Sequence, residues 1–405
     1  MRDRLARHVV LLLLARVRGG RLEIVEGGRR RGFGPAGAEL RATVTIRDPA
    51  AWRGPLRGSL GLGETYLEGL WTTDDLVALL RIAARELGRP GWLGRATSRL
   101  RGLLHRARRL VPENGRRGAR ENISAHYDLG NELFSTFLDE QMVYSCALFP
   151  TEGASLEEAQ RAKLERICAQ LRLGPDDHLL EIGTGWGGLA IHAAREHGCR
   201  VTTTTISREQ HRLANERVRE AGLEDHVTVL LEDYRDLRGS YDKLASIEMI
   251  EAVGWQHFEE FFRRCDELLA PGGLMFLQAI TIDDGLYEAE KATRSFSNTH
   301  VFPGGCLPSR GQISSCLARV TSMRPVWSED ITASYPPTLA AWRRRFLAAW
   351  EQLRRRGYDE RFRRLWTFYL SLSEAGFLER RIGNLQALLA KPEPGEAAVS
   401  RVARC

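Results

Sequence analysis

An α/β fold built on a mainly parallel sheet is predicted for the greater part of the chain, from three observations. The run Leu179-Leu180-Glu181-Ile182-Gly183-Thr184-Gly185-Trp186-Gly187-Gly188 is an apolar stretch, the length of one buried strand, that ends in an acid and a glycine-rich turn. Beyond it β and α patterns alternate: a strand at 201–206, a helix at 208–221, strands at 227–231 and 243–247, a helix at 256–269 and a strand at 274–280. Leu268-Leu269-Ala270-Pro271-Gly272-Gly273 breaks that last helix just before the apolar Leu274-Met275-Phe276-Leu277. Such alternation implies a parallel sheet covered on both faces.

At 405 residues the chain is long enough for two domains and at least one large core. Hydrophobic residues at 43% and charged residues at 27% are those of an ordinary soluble protein, which argues against disorder and against a polytopic membrane protein. Seven cysteines, at Cys146, Cys168, Cys199, Cys265, Cys306, Cys316 and Cys405, show neither an even count nor metal-ligand spacing. No disulfide framework and no metal site is expected, and a reducing cytoplasm fits. The net charge of +7 hides an asymmetry: residues 1–120 hold 25 Arg and no Lys against 11 acidic residues, so the remainder is acidic. A basic first part implies an anionic partner, either nucleic acid or anionic phospholipid head-groups.

Residues 1–15 place Val9 to Leu14 after three arginines, but the apolar core is short, Arg16 and Arg18 follow at once, and no small-residue cleavage site stands behind it. A first helix is expected there rather than an export signal. No other segment approaches the ~20 apolar residues that cross a bilayer. Residues 20–50 alternate in a β manner, 58–66 opens a helix, and Thr72 or Thr73 is placed to cap another through 74–80. This predicts a small α+β domain. Between 88 and 120, Trp92, Leu93, Leu100, Leu103, Leu104 and Leu110 alternate with arginines, the pattern of a helix lying in a membrane interface or packing its leucines on a neighbouring domain. Pro112-Glu113-Asn114-Gly115-Arg116-Arg117-Gly118 marks the boundary.

The larger part opens with Ala125-His126-Tyr127-Asp128-Leu129-Gly130-Asn131, and an amphipathic helix follows at 155–171. At the glycine turn the backbone bends sharply and lets a nucleotide-like ligand lie against the main chain, with the N-terminus of the next helix directed into the same crevice. Gly183, Gly185 and Gly188 satisfy G-x-G-x-x-G, yet the next strand, 200–206, ends in threonines where a dinucleotide fold carries an acid. Here the acid, Glu181, precedes the turn. The irregular stretch 286–315 reads as a lid over a substrate tunnel. Trp342, Phe346, Trp350, Phe362, Trp366, Phe368 and Tyr369 recur at helical spacings, as core residues of which several are candidates to line an acyl tunnel.

Strand, acid and Gly-x-Gly-x-Gly, followed later by the Pro271-Gly272-Gly273 turn, resemble the class I S-adenosylmethionine-dependent methyltransferases, which implies a Rossmann-like, mainly parallel seven-stranded sheet. One family is resembled in particular, the cyclopropane-fatty-acyl-phospholipid synthases and the related mycolic acid cyclopropane synthases. Its motifs match His126 to Asn131, Tyr144-Ser145-Cys146, the turn from Gly183 to Gly188, Thr205 to Gln210, Asp233-Tyr234-Arg235-Asp236, Glu251-Ala252-Val253-Gly254 and Phe302 to Pro308, in the family's order. The resemblance implies a basic, lipid-associating N-terminal domain at 1–111, a linker at 112–121, and a catalytic domain at 122–395 with its lid insertion at about 283–315.

The family's S-adenosylmethionine contacts fall on Tyr144, Ser145, Glu181, Gly183, Thr184, Gly185, Trp186, Gly187, Thr205, Gln210, Tyr234 and Arg235. Its bound base, a bicarbonate ion, is held by positions that map to Cys146, Glu251, Gln278, Ile280 and Tyr335. Two departures stand out: Gln278 replaces a frequent His, and Ser373 replaces a cysteine long treated as an active-site residue. In addition, Ala252 follows Glu251 where a second His is common. The implied reaction is methyl transfer to the double bond of an unsaturated phospholipid acyl chain, giving a cyclopropane or, by another proton loss, a methylene- or methyl-branched chain. The implied setting is cytoplasmic, peripheral to an anionic membrane surface, with room for a homodimer. Rival readings are an RNA-binding methyltransferase and a non-catalytic lipid-binding relic. Against nucleic acid, leucines rather than stacking aromatics interleave the arginines.

Overall fold

The computed structural model describes residues 1–88 and 130–393, which form two compact units. The 88–120 pattern beyond its first residue, the 112–121 linker and the motif residues His126 to Leu129 lie outside the described residues. The first unit comprises residues 1–88, 289–303 and 339–382, and the second comprises 130–288, 304–338 and 383–393. Residues 289–303 and 339–382, grouped by sequence with the catalytic domain, therefore pack with the N-terminal residues.

In the first unit the expected helix spans Arg2–Leu14, followed by strands β1 (Arg21–Glu26), β2 (Arg29–Phe33), β3 (Arg41–Ile46) and β4 (Trp71–Thr73). They form one sheet in the order β2-β1-β3-β4. Gly27 and Gly28 connect β1 to β2 with φ of +54° and +77°, the left-handed pair that a two-residue hairpin requires. Alternate residues Leu22, Ile24, Ala42 and Val44 are buried, as the β pattern requires. Thr72 and Thr73 belong to β4 and cap nothing: the helix Leu76–Gly88 is capped instead by Asp75, whose Oδ1 accepts from Ala78 N at 2.8 Å. The strand pairing of Thr72 and Thr73 with Thr45 and Val44 excludes them from the cap. Arg81 and Arg85 of that helix each donate at 2.7 Å to Glu379, at the end of the helix Glu360–Leu378. The aromatic stretch supplies the core here, with Trp342, Phe346, Trp366 and Phe368 all fully buried. Phe296, from the stretch read as a lid, packs on Phe368 with ring centroids 4.6 Å apart.

The second unit carries the expected sheet. Strands β5 (His178–Ile182), β6 (Arg200–Thr204), β7 (Val227–Leu230), β8 (Tyr241–Ile247), β9 (Leu269–Ile282), β10 (Arg324–Asp330) and β11 (Ile382–Ala390) stand in the order β10-β11-β9-β8-β5-β6-β7. The strands from β9 to β7 pair in parallel, and β10 runs antiparallel to β11. Successive residues separate to opposite faces: Leu180, Leu244 and Met275 join one core cluster, while Leu179, Ala245 and Phe276 join the other. That is why these strands read as continuous apolar runs rather than alternations.

The helix Leu156–Leu171 starts with a capping box, in which Ser155 Oγ accepts from Glu158 N and Glu158 Oε2 from Ser155 N. The helix expected from 256 begins at Phe258, after a single 3-10 turn at Trp255–His257. Strand β9 starts ahead of Pro271 rather than after Gly273, and the glycine turn is held there by Gly272 N donating to Lys391 O and Lys391 N to Gly273 O. Among the described residues no helix is long and apolar enough to cross a membrane.

Candidate active site

Parallel strands place their carboxyl ends at one edge of the sheet, and there the ends of β5, β6 and β8 line one pocket with the loops that follow them. After β5 the chain turns through Gly183, Gly185 and Gly187 at φ of +105°, +54° and +84° before the helix Gly188–His197 begins. A Cβ on Gly188 would lie 2.8 Å from Gln141 O, so the close approach of the preceding loop also requires glycine.

Around this turn the predicted cofactor residues converge. Tyr144, Ser145, Glu181, Gly183, Thr184, Gly185, Trp186, Thr205, Gln210, Tyr234 and Arg235 all line the pocket. Trp186 is fixed by its Nε1 donating to Asn131 Oδ1 at 2.7 Å and by packing on Phe134, 4.7 Å between ring centroids. Thr205 Oγ1 donates to Gln210 Oε1 at 2.7 Å, which pre-orients both polar groups on the wall. Arg235 is committed to Asp233 by a bidentate pair at 2.8 and 2.7 Å and lies over the Tyr234 ring. Glu181 accepts from Thr203 Oγ1 at 2.6 Å, and burial pushes its carboxyl up to about 8.

These residues fit S-adenosylmethionine. The glycines of the turn have no side chain to obstruct a ligand along the main chain, and Thr205 and Gln210 put a hydroxyl and an amide on the same lining.

On the same wall, Glu248 follows the end of β8 and gathers donors from four segments. Its Oε1 accepts from Cys146 N at 3.1 Å, from Gln278 Nε2 at 2.8 Å and from Asn384 Nδ2. Its Oε2 accepts from Tyr335 OH at 2.6 Å. Gln278 is held in turn, its Oε1 accepting from Gln386 Nε2 at 2.9 Å and its Nε2 reaching Cys146 O at 3.3 Å. Cys146 takes part through its backbone; its thiol donates to Ala147 O, and burial pushes it well above its usual range. Lys163 is fully buried, donates to Ser145 Oγ at 2.7 Å, and is pulled down to about 8 by burial against the opposing charges of Glu248 and Asp139.

Of the residues mapped to a bicarbonate, Cys146, Gln278 and Tyr335 come together, but on the Glu248 carboxylate. Ile280 N donates to Glu251 Oε1 instead. Burial, with the nearby charge of Glu248, pushes the Glu251 carboxyl up to about 8. An added anion would find these donors engaged and a like charge in front of it, so the residues present do not fit bicarbonate. Ser373 lies on the helix Glu360–Leu378 in the first unit and does not line this pocket.

Sequence reading passed over Glu248, Asn384 and Lys163. Two of them carried a signal: Glu248 sits where a parallel strand delivers its functional residue, and Lys163 interrupts the apolar stripe of its helix between Ala159 and Ile167. Asn384 carried none. Elsewhere, Cys168, His192 and His197 bring their donor atoms within 4.8 Å of one another, a cluster that linear spacing does not show.

Comparison with known proteins agrees with this geometry. The family model described as mycolic acid cyclopropane synthetase matches residues 115–387. The tuberculostearic acid methyltransferase UfaA1 of Mycobacterium tuberculosis is 40% identical over 337 residues, 82% of this chain and 78% of its own. The cyclopropane-fatty-acyl-phospholipid synthase of Escherichia coli K12 is 36% identical over 362 residues, 89% of this chain and 91% of its own. The crystal structure of the mycolic acid cyclopropane synthase CmaA1 complexed with SAH and CTAB matches with a TM-score of 0.63 at 27% identity, over 67% of this chain and 98% of that one. With this fold, this glycine cradle and these relatives, the chain belongs to the mycolic acid cyclopropane synthetase family and is an S-adenosylmethionine-dependent C-methyltransferase of lipid synthesis.

Proposed function

We propose that the chain adds the methyl carbon of S-adenosylmethionine to the double bond of an unsaturated phospholipid acyl chain, and that loss of a proton from the added methyl group closes a cyclopropane. The observation that carries this reading is one pocket lined both by the glycine turn, through Gly183 and Gly185, and by the multiply hydrogen-bonded Glu248; Gly187 belongs to the turn but does not line the pocket. When bound, S-adenosylmethionine supplies an electrophilic methyl carbon. An alkene needs no base to attack it, so the first task of the protein is orientation: the turn, Thr205, Gln210 and Tyr234 fix one partner against the buried Trp186. The second task is to tolerate the positive charge left on the chain, which the nearby carboxylate serves.

A phospholipid substrate also requires the enzyme to work at a membrane. Supporting a peripheral position on an anionic membrane surface, Leu5 and Leu12 on the helix Arg2–Leu14 are 66% and 52% exposed, beside the exposed Arg2 and Arg4. Flotation with anionic liposomes that is unchanged in a Leu5→Glu/Leu12→Glu variant would remove this placement.

A second reading is a methylene- or methyl-branched product, favoured by the 40% identical tuberculostearic acid methyltransferase. Lipids from a bacterial host expressing the protein decide between them. Acyl chains heavier by one CH₂ with high-field cyclopropane proton signals support ring closure; a gain of one CH₂, or of CH₄ where a host reductant has saturated the branch, without those signals rejects it; no gain rejects the lipid substrate.

A further inference from the structure

We infer that the Glu248 carboxylate is the proton acceptor of this reaction, built into the chain at the place where the family resemblance puts an exchangeable anion. The inference rests on the methyl-transfer reading above and adds to it the identity of the base.

Three independent features lead there. The first is the donor set: the backbone of Cys146 and the side chains of Gln278, Asn384 and Tyr335, drawn from four separate segments, all point their hydrogens at this one carboxylate. Donors so arranged fix an anion in place, and here the anion is covalently part of the protein.

The second is backbone conformation. Glu248 takes φ of +51°, a region that L side chains rarely adopt, while its N–H donates to Gln278 O at 2.7 Å. A carboxylate kept at such a position, where glycine would relieve the strain, indicates a functional reason for the side chain.

The third is location. Glu248 lines the same pocket as Gly183, Tyr144 and Tyr234, so it faces the space in which the methyl group is delivered. Its neighbour Glu251 stands three residues on, in the short helix Ile250–Val253, and the Glu251 Oε2 atom is buried with no partner among the described residues. Burial favours the protonated form of Glu251, which keeps a second negative charge away from the acceptor.

The step balances without another reactant. The alkene electron pair bonds to the methyl carbon as the carbon–sulfur bond breaks, with its electrons going to sulfur, and a cation remains on the acyl chain. Glu248 then takes one proton from the added methyl group, and the electron pair of that C–H bond forms the second ring bond. The protonated Glu248 returns its proton to water after product leaves.

The test uses the full-length enzyme on unsaturated phospholipid vesicles, with bicarbonate removed by acidification, sparging and carbon dioxide-free readjustment of pH. Wild-type enzyme is expected to keep its rate without bicarbonate. Glu248→Gln is expected to lose at least about a hundredfold in turnover while binding S-adenosylhomocysteine within about threefold of wild type. Glu248→Gly, which frees both the cavity and the backbone, is expected to regain activity on addition of formate or bicarbonate. Wild-type turnover that falls with bicarbonate removal overturns the assignment, as does a Glu248→Gln enzyme at wild-type rate or a Glu248→Gly enzyme that no small carboxylate restores. A wild-type enzyme that methylates no lipid under any condition removes the underlying reading as well, a result distinct from the other three.

Discussion

Tyr335 donates its phenolic hydrogen to Glu248 at 2.6 Å, tying the start of the helix Tyr335–Ala348 to the residue that follows β8. The two residues are far apart in sequence, and they meet across a sheet in which β9 lies beside β8 and β11 beyond β9. A hydrogen bond to a charged group contributes about 1.5–3 kcal/mol. Tyr335→Phe removes it without changing the ring, so turnover is expected to drop by about tenfold or more while affinity for S-adenosylhomocysteine stays the same. Initial rates and titration calorimetry on the same preparation check this; an unchanged rate contradicts a role for the contact.

The glycine cradle makes a different demand. At Gly183, φ is +105° and an added Cβ would stand 3.2 Å from Met249 Cγ. Gly183→Ala is expected to destabilise the fold by about 1–2 kcal/mol and to weaken S-adenosylhomocysteine binding at least tenfold, because the loop must shift toward the space the ligand uses. Denaturant unfolding measures the first effect and calorimetry the second. Tight binding in that variant would show that the ligand does not lie along this stretch of backbone.

Glu251 gives the protein a signature in pH. Its carboxyl is raised from 4.5 to about 8 by burial, so the folded chain keeps a proton that the unfolded chain has released. Stability from this group is therefore full below pH 4.5 and is lost as pH rises toward about 8. Glu181, also raised to about 8, acts in the same direction. The difference in melting temperature between Glu251→Gln and wild type is thus expected to shift in favour of the variant as pH rises from 5 to 8. A difference that stays constant over that range contradicts the burial of the Glu251 carboxyl.

Much of the second unit was legible because its strands are buried on both faces. Leu179 and Leu180 serve opposite cores, and a run of that kind announces a covered parallel strand before any contact is known. The glycine turn was legible for a related reason: Gly183, Gly185 and Gly187 meet a backbone demand that local sequence states directly. The Glu248 side of the pocket was less so. The family resemblance maps Gln278, Cys146 and Tyr335 around one anion, yet what they surround here is decided by the left-handed turn at Glu248, a tertiary fact with no local pattern. The same limit hid the grouping of residues 339–382 with the N-terminal residues. Helical spacing identifies Trp342 and Phe368 as core residues without saying whose core they fill.

The most direct measurement of the central claim is incubation of purified enzyme with methyl-labelled carbon-13 S-adenosylmethionine and monounsaturated phospholipid vesicles, followed by carbon NMR of the extracted lipid. Ring closure on the acyl double bond requires the label in a cyclopropane CH₂ flanked by two chain CH carbons. A label found in an exocyclic methylene or a branched methyl contradicts ring closure, and a lipid fraction without label contradicts methyl transfer to the acyl chain altogether.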